Sequence, residues 1–541
     1  MPDPKHCDLV DRLSVHRATR PWTVALIVLL SDMALAVVIY RRTLQLAFVS
    51  DAWVFLAHLR TGVWATLTTP IGYHYQPISY AWIALIRALF GENSAAFQAV
   101  CIGQVGVLGY LTYALGRRLL ADEVAAFMAS LLVIANAAFY EISYWPLAGN
   151  MHFLAAQLYV AAVILAHDLS RGRLGPGGPW LLALTVLAAI FAHPAMATAL
   201  PVCALTMLFV GDGAGDNMGL GNTRAAKVKA MLLLAAVAAM FGLTRLVFAA
   251  EFNTGPKPGF EPMRAYWLVS RGIVAVFSLR GSHDVVHRLI TLGTNADFSG
   301  GWIWVYVAGW LTGAAIAFVM CFWRTRTSGV RVLLAFVATH LIVLAFAGGM
   351  ASRESHVPAV PAALLTVWAL RSVAERLAAM VATTPGALIC RQIPAVAILL
   401  LIVSAQADHL TAAELYARAT SLSRELVEQI RVRAPGRGAP IHVTLVNMPG
   451  TLIARGIGAF VFVNGLDEQT RLASPRVTTL QLARLDIDGA PLDFANGSMR
   501  VGLAELRAQL QDPSRVVLLF KSEPFGLRVL TLQDLDSLVS R

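Results

Sequence analysis

A small set of ionisable residues sits where a strongly apolar chain has little reason to keep them. Asp51 lies in the phrase Ser50-Asp51-Ala52-Trp53, and Tyr73-His74-Tyr75-Gln76-Pro77 opens the next apolar run. Glu141 ends a later run and His152 begins the one after it, with Tyr144-Trp145-Pro146 and Gly149-Asn150 between them. His193-Pro194 interrupts the apolar stretch 180–210, and Ser352-Arg353-Glu354-Ser355-His356 precedes another. The Pro/Gly-rich segment 251–265 adds Lys257 and Arg264 and suits a mobile gate. A carboxylate can act as a general base, a guanidinium can grip phosphate oxygens through two parallel hydrogen bonds, and carboxylates with imidazoles can hold a divalent ion. Ionisable groups at membrane depth face a cavity or a partner rather than lipid. Each also has a plainer reading. Glu141 could cap a helix or snorkel, and His193 could be a hydrogen-bonding structural residue. Arg353 and Glu354 could pair locally, and the Trp and Tyr side chains of the 41–75 loop could form an interfacial belt.

The elements that must position these groups are apolar. Of 541 residues 57% are hydrophobic and 14% charged, against about 25% charged in soluble domains. That excludes a soluble enzyme of ordinary make-up and a disordered chain. The five cysteines show no paired spacing, so no disulfide or metal framework follows. A basic leader (Lys5, Arg12, Arg17, Arg20) precedes the run Pro21–Tyr40, and Arg41-Arg42 follows it, which reads as an uncleaved first span. Further apolar runs cover 76–90, 95–115, 124–140, 152–167, 180–192, 195–210, 229–250, 301–322, 331–347, 357–379 and 387–405. Several are shorter than the roughly 17–25 residues of a full crossing, so about 11–13 complete or partial helices are expected. Pro194 removes a donor and splits its stretch into two half-length helices.

Basic loops mark the inside: Arg171 and Arg173; Arg224, Lys227 and Lys229; Arg324, Arg326 and Arg331; Arg371, Arg376 and Arg391. Parity then puts 41–75, 141–151, His193-Pro194, 251–300 and 348–356 outside. If 41–75 and 141–151 share a side, one of 76–90, 95–115 and 124–140 is not a full crossing, and composition does not say which. After residue 405 the pattern changes. Helical spacing over 406–433 gives way to short alternating runs at 441–447, 459–464, 476–484, 515–521 and 527–532, separated by turns such as Pro449-Gly450 and Asn464-Gly465. The expected division is a polytopic membrane domain, 1–405, and a small extracytoplasmic α/β domain, 406–541. That second part carries 15 Lys/Arg and 14 Asp/Glu, so nearly all of the net +11 lies before it. The charge is a topology signal, not a nucleic-acid surface.

In these residues the chain resembles the GT-C membrane glycosyltransferases. The pieces are Ser50-Asp51, Tyr73-His74-Tyr75-Gln76-Pro77, Leu89-Phe90-Gly91-Glu92-Asn93 and Tyr113-Ala114-Leu115-Gly116-Arg117-Arg118. It is most similar in flavour to the polyprenyl-phosphate-sugar-dependent protein O-mannosyltransferases with tetratricopeptide repeats. Glu141, Trp145 and Gly149 echo one phrase of that branch, and Arg353 to Pro358 another. The chain departs from it at Asn150, His152, Glu354 and His193-Pro194, and 406–541 shows no tetratricopeptide period. The resemblance implies an all-α polytopic GT-C-like fold and an inverting sugar transfer from a polyprenyl-phosphate donor to a glycan or protein acceptor. It implies Asp51 as base, with Glu141 as second catalytic carboxylate. Arg353 would bind the lipid phosphate, with Arg264 or Lys257 in reserve. His74, Gln76 and His152 would bind substrate. A divalent cation held by Asp51, Glu141 and a histidine stays open. The expected location is a bacterial inner membrane with the N-terminus cytoplasmic. A transporter or flippase of lipid-linked sugars, or a non-catalytic scaffold of the same architecture, would share these features.

Overall fold

The computed structural model describes residues 21–71, 75–211, 220–248, 327–346 and 356–539, apart from a few loop residues in the last segment, and only 277 and 279 between 249 and 326. The leader, His74, Lys257, Arg264, the 301–322 run, Arg353 and Glu354 lie outside the described residues. The chain begins with α1 (Pro21–Tyr40), then α2 (Ala52–Thr61), α3 (Val63–Thr68), α4 (Pro77–Phe90), α5 (Ser94–Leu120) and α6 (Glu123–Ile134). There follow α7 (Tyr140–Tyr144), α8 (Pro146–Ser170), α9 (Gly178–Ala192), a 3₁₀ turn (Pro194–Thr198) and α10 (Ala199–Phe209). The remaining helices before the sheet are α11 (Leu220–Val247), α12 (Ser328–Phe346), α13 (His356–Met380) and α14 (Thr384–Arg433). Local chemistry sets several starts. Asn93 Oδ1 accepts from Ala95 N and Ala96 N at the head of α5, and Asp122 Oδ1 accepts from Ala125 N at the head of α6. Proline supplies the first residue of α4 and of α8.

Seven described helices are long and apolar enough to cross a membrane. The parity conflict resolves at 76–90: α4 has 14 residues, about 21 Å of rise, short of the roughly 30 Å hydrocarbon core. Helix α5 has 27 residues, and the 123–144 segment qualifies as a span. The expected break at His193-Pro194 is present, with α9 of 15 residues and α10 of 11. Contacts sort the loops into two ends. At one end Tyr40 Oη donates to the Ile134 carbonyl at 2.9 Å, joining the tops of α1 and α6. At the other, Arg118 binds Asp168, Arg371 pairs with Asp122, and Gly329 lies so close that a Cβ would meet the Leu119 carbonyl at 1.9 Å. Inside α1, Asp32 is a buried carboxylate that accepts from Ser130 Oγ at 3.0 Å and ties α1 to α6.

Helix α14 is continuous over 50 residues, about 75 Å, and carries the chain through the expected 405/406 boundary without a break. Beyond it come β1 (Ile441–Val446), β2 (Thr451–Ala454), β3 (Ile457–Phe460), α15 (Leu466–Ala473), β4 (Val477–Arg484), β5 (Met499–Arg500), α16 (Leu503–Gln511), β6 (Arg515–Ser522), β7 (Phe525–Val529) and α17 (Leu532–Val539). The five-stranded sheet runs β5-β4-β1-β6-β7. Its central pairs are parallel, and β7 is antiparallel at the edge. The burial of all but one residue of β1, and the apolar run Val516 to Phe520 of β6, suit strands covered on both faces. The 459–464 run does not form one strand: β3 ends at Phe460 and pairs back onto β2, which the alternation did not reveal.

The lower-end network gives the first expectation. Asp168 accepts from Arg118 Nε at 3.0 Å on both oxygens, and from His167 Nδ1 at 3.2 Å and Arg173 Nη1 at 3.4 Å. Asp168→Ala leaves a half-covered guanidinium without its carboxylate. Unfolding in detergent should show a loss of about 2 kcal/mol, below the 3–5 kcal/mol of fully buried pairs.

Candidate active site

The first two turns of α8 are the hub around which the candidate residues gather. Leu147 and Met151 pack in one apolar cluster with Phe48, Ala52, Leu56, Tyr80 and Phe97, so α2 and α4 lie against this face. Asn150 Nδ2 donates to the Phe97 carbonyl at 2.8 Å and the Pro146 carbonyl at 2.6 Å, and Gln104 Nε2 donates to the Asn150 carbonyl at 3.2 Å. Asn150 is therefore a strut between α8 and α5. Gly149 permits the close approach of α7: a Cβ there would stand 2.3 Å from the Ile142 carbonyl and 2.5 Å from Cys101 Sγ. The remaining face carries His152.

Asp51 is the residue before α2, partly buried, and follows Ser50 at φ 49°. Glu141 is buried in α7, next to Tyr140, whose hydroxyl accepts from Gly458 N at 3.0 Å. Gln76 is the buried residue just before α4, and its side chain makes no capping bond to the helix. One turn on, Ser79 Oγ donates to the Ala192 carbonyl at 2.8 Å, which puts the head of α4 against the end of α9. Buried Gln76 Oε1 and Trp53 Nε1 have no hydrogen-bond partner among the described residues, and groups of that kind suit recognition of a polar ligand. His152 meets two histidines: its ring centroid is 4.4 Å from that of His193 and 5.3 Å from that of His356. His193 also has the structural role expected of it, accepting from Ala195 N through Nδ1 at 3.3 Å.

Of the sequence candidates, Asp51, Gln76, Glu141 and His152 thus share one end of the helices. His74, Arg264 and Arg353 lie outside the described residues. His193 and His356 join His152 through contacts whose only sequence trace is that each stands at or near a proline. Among the described residues, no group of three or more His, Cys, Asp or Glu side chains is placed to hold a metal ion.

The stretch before Asp51 has its own support. Ala47 N donates to Thr420 Oγ1 at 3.1 Å, Ser423 Oγ donates to the Phe48 carbonyl at 2.9 Å, and Arg424 Nη2 donates to the Gln45 carbonyl at 2.9 Å. Ser50 N donates to the Val461 carbonyl at 3.0 Å. The roof over this end is the β2–β3 hairpin and the residues after it; Ile457, Ala459, Val461 and Phe462 are buried, and Phe460 meets Trp145.

No family model matches the chain, and no curated protein matches it in sequence. In shape it is similar to the Archaeoglobus fulgidus oligosaccharyltransferase solved with zinc and sulfate (TM-score 0.41, 12% identity); the match covers 77% of this chain and spans 60% of the archaeal one. It is also similar to ArnT from Cupriavidus metallidurans bound to undecaprenyl phosphate (TM-score 0.43, 12% identity, 94% of each chain). The apo state of the same ArnT matches with TM-score 0.45 at 12% identity, over 91% of this chain and 93% of that one.

Glu92, from the phrase Leu89 to Asn93, ties together the far ends of α2 and α4, the helices that begin beside Asp51 and Gln76. It accepts from Arg60 Nε at 2.9 Å and Arg87 Nε at 3.1 Å, while Arg87 Nη1 donates to the Leu59 carbonyl at 3.0 Å. The Arg60 hydrogen bond holds the carboxyl below its usual range, against a smaller desolvation effect. A depressed folded pKa stabilises above the unfolded value of 4.5 and is lost as pH falls through the folded value. Glu92→Gln should cost about 0.5–1 kcal/mol at neutral pH, because the group is partly solvated. Acid titration of stability should converge for parent and variant below that range.

Proposed function

We propose that the chain is an integral-membrane glycosyltransferase. It moves a sugar from a polyprenyl-phosphate carrier to a glycan or protein acceptor at the end of the helices where Asp51, Gln76, Glu141 and His152 meet. The observation that carries this reading is that end itself. A carboxylate at a helix start, a buried glutamate, buried amide and indole groups and three mutually close imidazoles lie toward the end that the β2–β3 hairpin covers, in a chain with seven described helices apolar enough to span a bilayer. In the proposed reaction the acceptor oxygen or nitrogen attacks the anomeric carbon and Asp51 takes its proton. The bond from that carbon to the phosphate oxygen breaks, and the polyprenyl phosphate leaves with the electron pair. Its growing charge needs donors placed beforehand, the role given to Arg353 with Arg264 in reserve. Glu141, His74, Gln76 and His152 orient sugar and acceptor. A lipid donor suits the location, since its tail stays among the helices while the headgroup reaches the roofed end. This end faces the extracytoplasmic side of a bacterial inner membrane, with the N-terminus cytoplasmic, as the positions of Lys and Arg suggest.

Release of polyprenyl phosphate from a radiolabelled polyprenyl-phosphate hexose, in native membranes that supply the acceptor, tests the reading. Asp51→Asn should lower turnover by roughly 10²–10⁴-fold with insertion and expression unchanged; near-parental turnover removes Asp51 from the base role. Arg353→Ala should raise KM for the lipid donor more than it lowers kcat, and an unaltered donor dependence sinks the phosphate assignment. Flipping of the labelled lipid without turnover would replace the enzyme by a transporter, a reading that the broken α9–α10 pair favours.

A further inference from the structure

Three observations concern the peptide in front of Asp51. Ser50 is a non-glycine residue at φ 49°, a left-handed conformation that persists only where surroundings over-determine it and that gathers at functional sites. Those surroundings come from a part of the chain more than 400 residues away. Ser50 N donates to the Val461 carbonyl at 3.0 Å. On the other side of the same residue stands Gly465, itself at φ +79°, where a Cβ would lie 2.5 Å from the Ser50 carbonyl oxygen and 3.4 Å from Val54. That carbonyl in turn accepts from Trp53 N at 3.1 Å, closing the turn in which Asp51 sits. The C-terminal domain therefore grips both polar groups of Ser50, one by hydrogen bond and one by contact with a residue that has no side chain.

We infer that the C-terminal domain sets the position of the Asp51 carboxylate by clamping Ser50 in its left-handed turn, with Val461 and Gly465 as positioning residues for the reaction. This rests on the reading of Asp51 as the base. The clamp acts on the proton-taking step and not on retention of the lipid, because neither Val461 nor Gly465 has a charged or donor side chain. The sheet domain is then part of the catalytic apparatus, although it lends no reacting group. Withdrawing the hairpin would free Ser50 to relax and carry Asp51 out of place.

The test compares two glycines of the same domain. Gly465→Ala and Gly497→Ala impose a similar backbone penalty, since Gly497 has φ +85°, but a Cβ at 497 meets nothing within 4 Å. In the membrane assay with labelled polyprenyl-phosphate hexose, Gly465→Ala should lower kcat at least tenfold with KM for the donor within twofold. Gly497→Ala should leave both within twofold, and Gly465→Ala, whose Cβ meets backbone, should lose more thermal stability yet stay folded at the assay temperature. A second readout needs no turnover. In Asp51→Cys protein the rate of maleimide labelling at residue 51, followed by mass spectrometry of its peptide, should change with Gly465→Ala and not with Gly497→Ala. Equal kcat for the two alanine variants, in a protein that Asp51→Asn inactivates, overturns the clamp and leaves the base intact. If Asp51→Asn stays active, the base reading has failed and the labelling rate decides: a change confined to Gly465→Ala supports the clamp on this turn, and none overturns it.

Discussion

Peptide groups buried outside a helix or sheet must find partners elsewhere, because an unpaired buried N–H or C=O costs about as much as a lost hydrogen bond. Residues 46–49 belong to no helix and no sheet, yet Leu46, Phe48 and Val49 are buried. Within the stretch Ala47 N donates to Thr420 Oγ1 and the Phe48 carbonyl accepts from Ser423 Oγ, and at its two ends Arg424 holds the Gln45 carbonyl and the Val461 carbonyl takes the Ser50 N–H. Much of the upper end follows from that constraint. The connection into α2 can be extended and buried only because α14 runs past it carrying hydroxyl and guanidinium groups at the right heights. Asp51 inherits its place from the same contacts.

Helix α14 can serve two masters because its faces are separate. At 100° per residue, Thr420, Ser423 and Arg424 form one stripe, and Arg418 and Glu425 lie roughly opposite. The first stripe binds residues 45–48. The second binds the sheet edge: Glu425 Oε2 accepts from Leu527 N at 3.0 Å, and Arg418 lies over the Phe525 ring. Ser423 is also gripped from above by Gln469 Nε2, at 2.9 Å on its carbonyl and 2.8 Å on its hydroxyl, which ties α15 to the same stripe. Helix α14 thus contacts both residues 45–48 and the edge of the sheet.

Periodicity and charge are local signals, and what they govern was legible. The membrane helices among the described residues, the half-helices around His193-Pro194 and the α/β character after residue 433 all follow from run lengths and turn signals. The short run 76–90 was ambiguous for a physical reason: one face of α4 packs against α2 and α8 while Ile78, Leu85, Leu89 and Phe90 are exposed, so apolarity alone does not separate a packed helix from a crossing one. The β2–β3 hairpin was hidden because its burial comes from Tyr140, Trp145 and α14, so its residues need not alternate as an isolated strand would. Asn150 shows the limit in the site. As a departure from the resembling phrase it reads as a lost charge, whereas in the fold its amide nitrogen is spent on two backbone carbonyls.

That distinction matters for how the hub works. The first two turns of α8 face several partners: Leu147 and Met151 toward α2 and α4, Gly149 toward α7, Asn150 toward α5 and His152 toward the two imidazoles of His193 and His356. A helix start with contacts all round cannot rotate or slide without breaking several of them at once, and packed interiors yield little. Asp51 and Glu141 are thereby referred to one rigid frame, even though they arise from elements separated by two spans. The frame that holds this end is built largely from apolar packing and backbone hydrogen bonds.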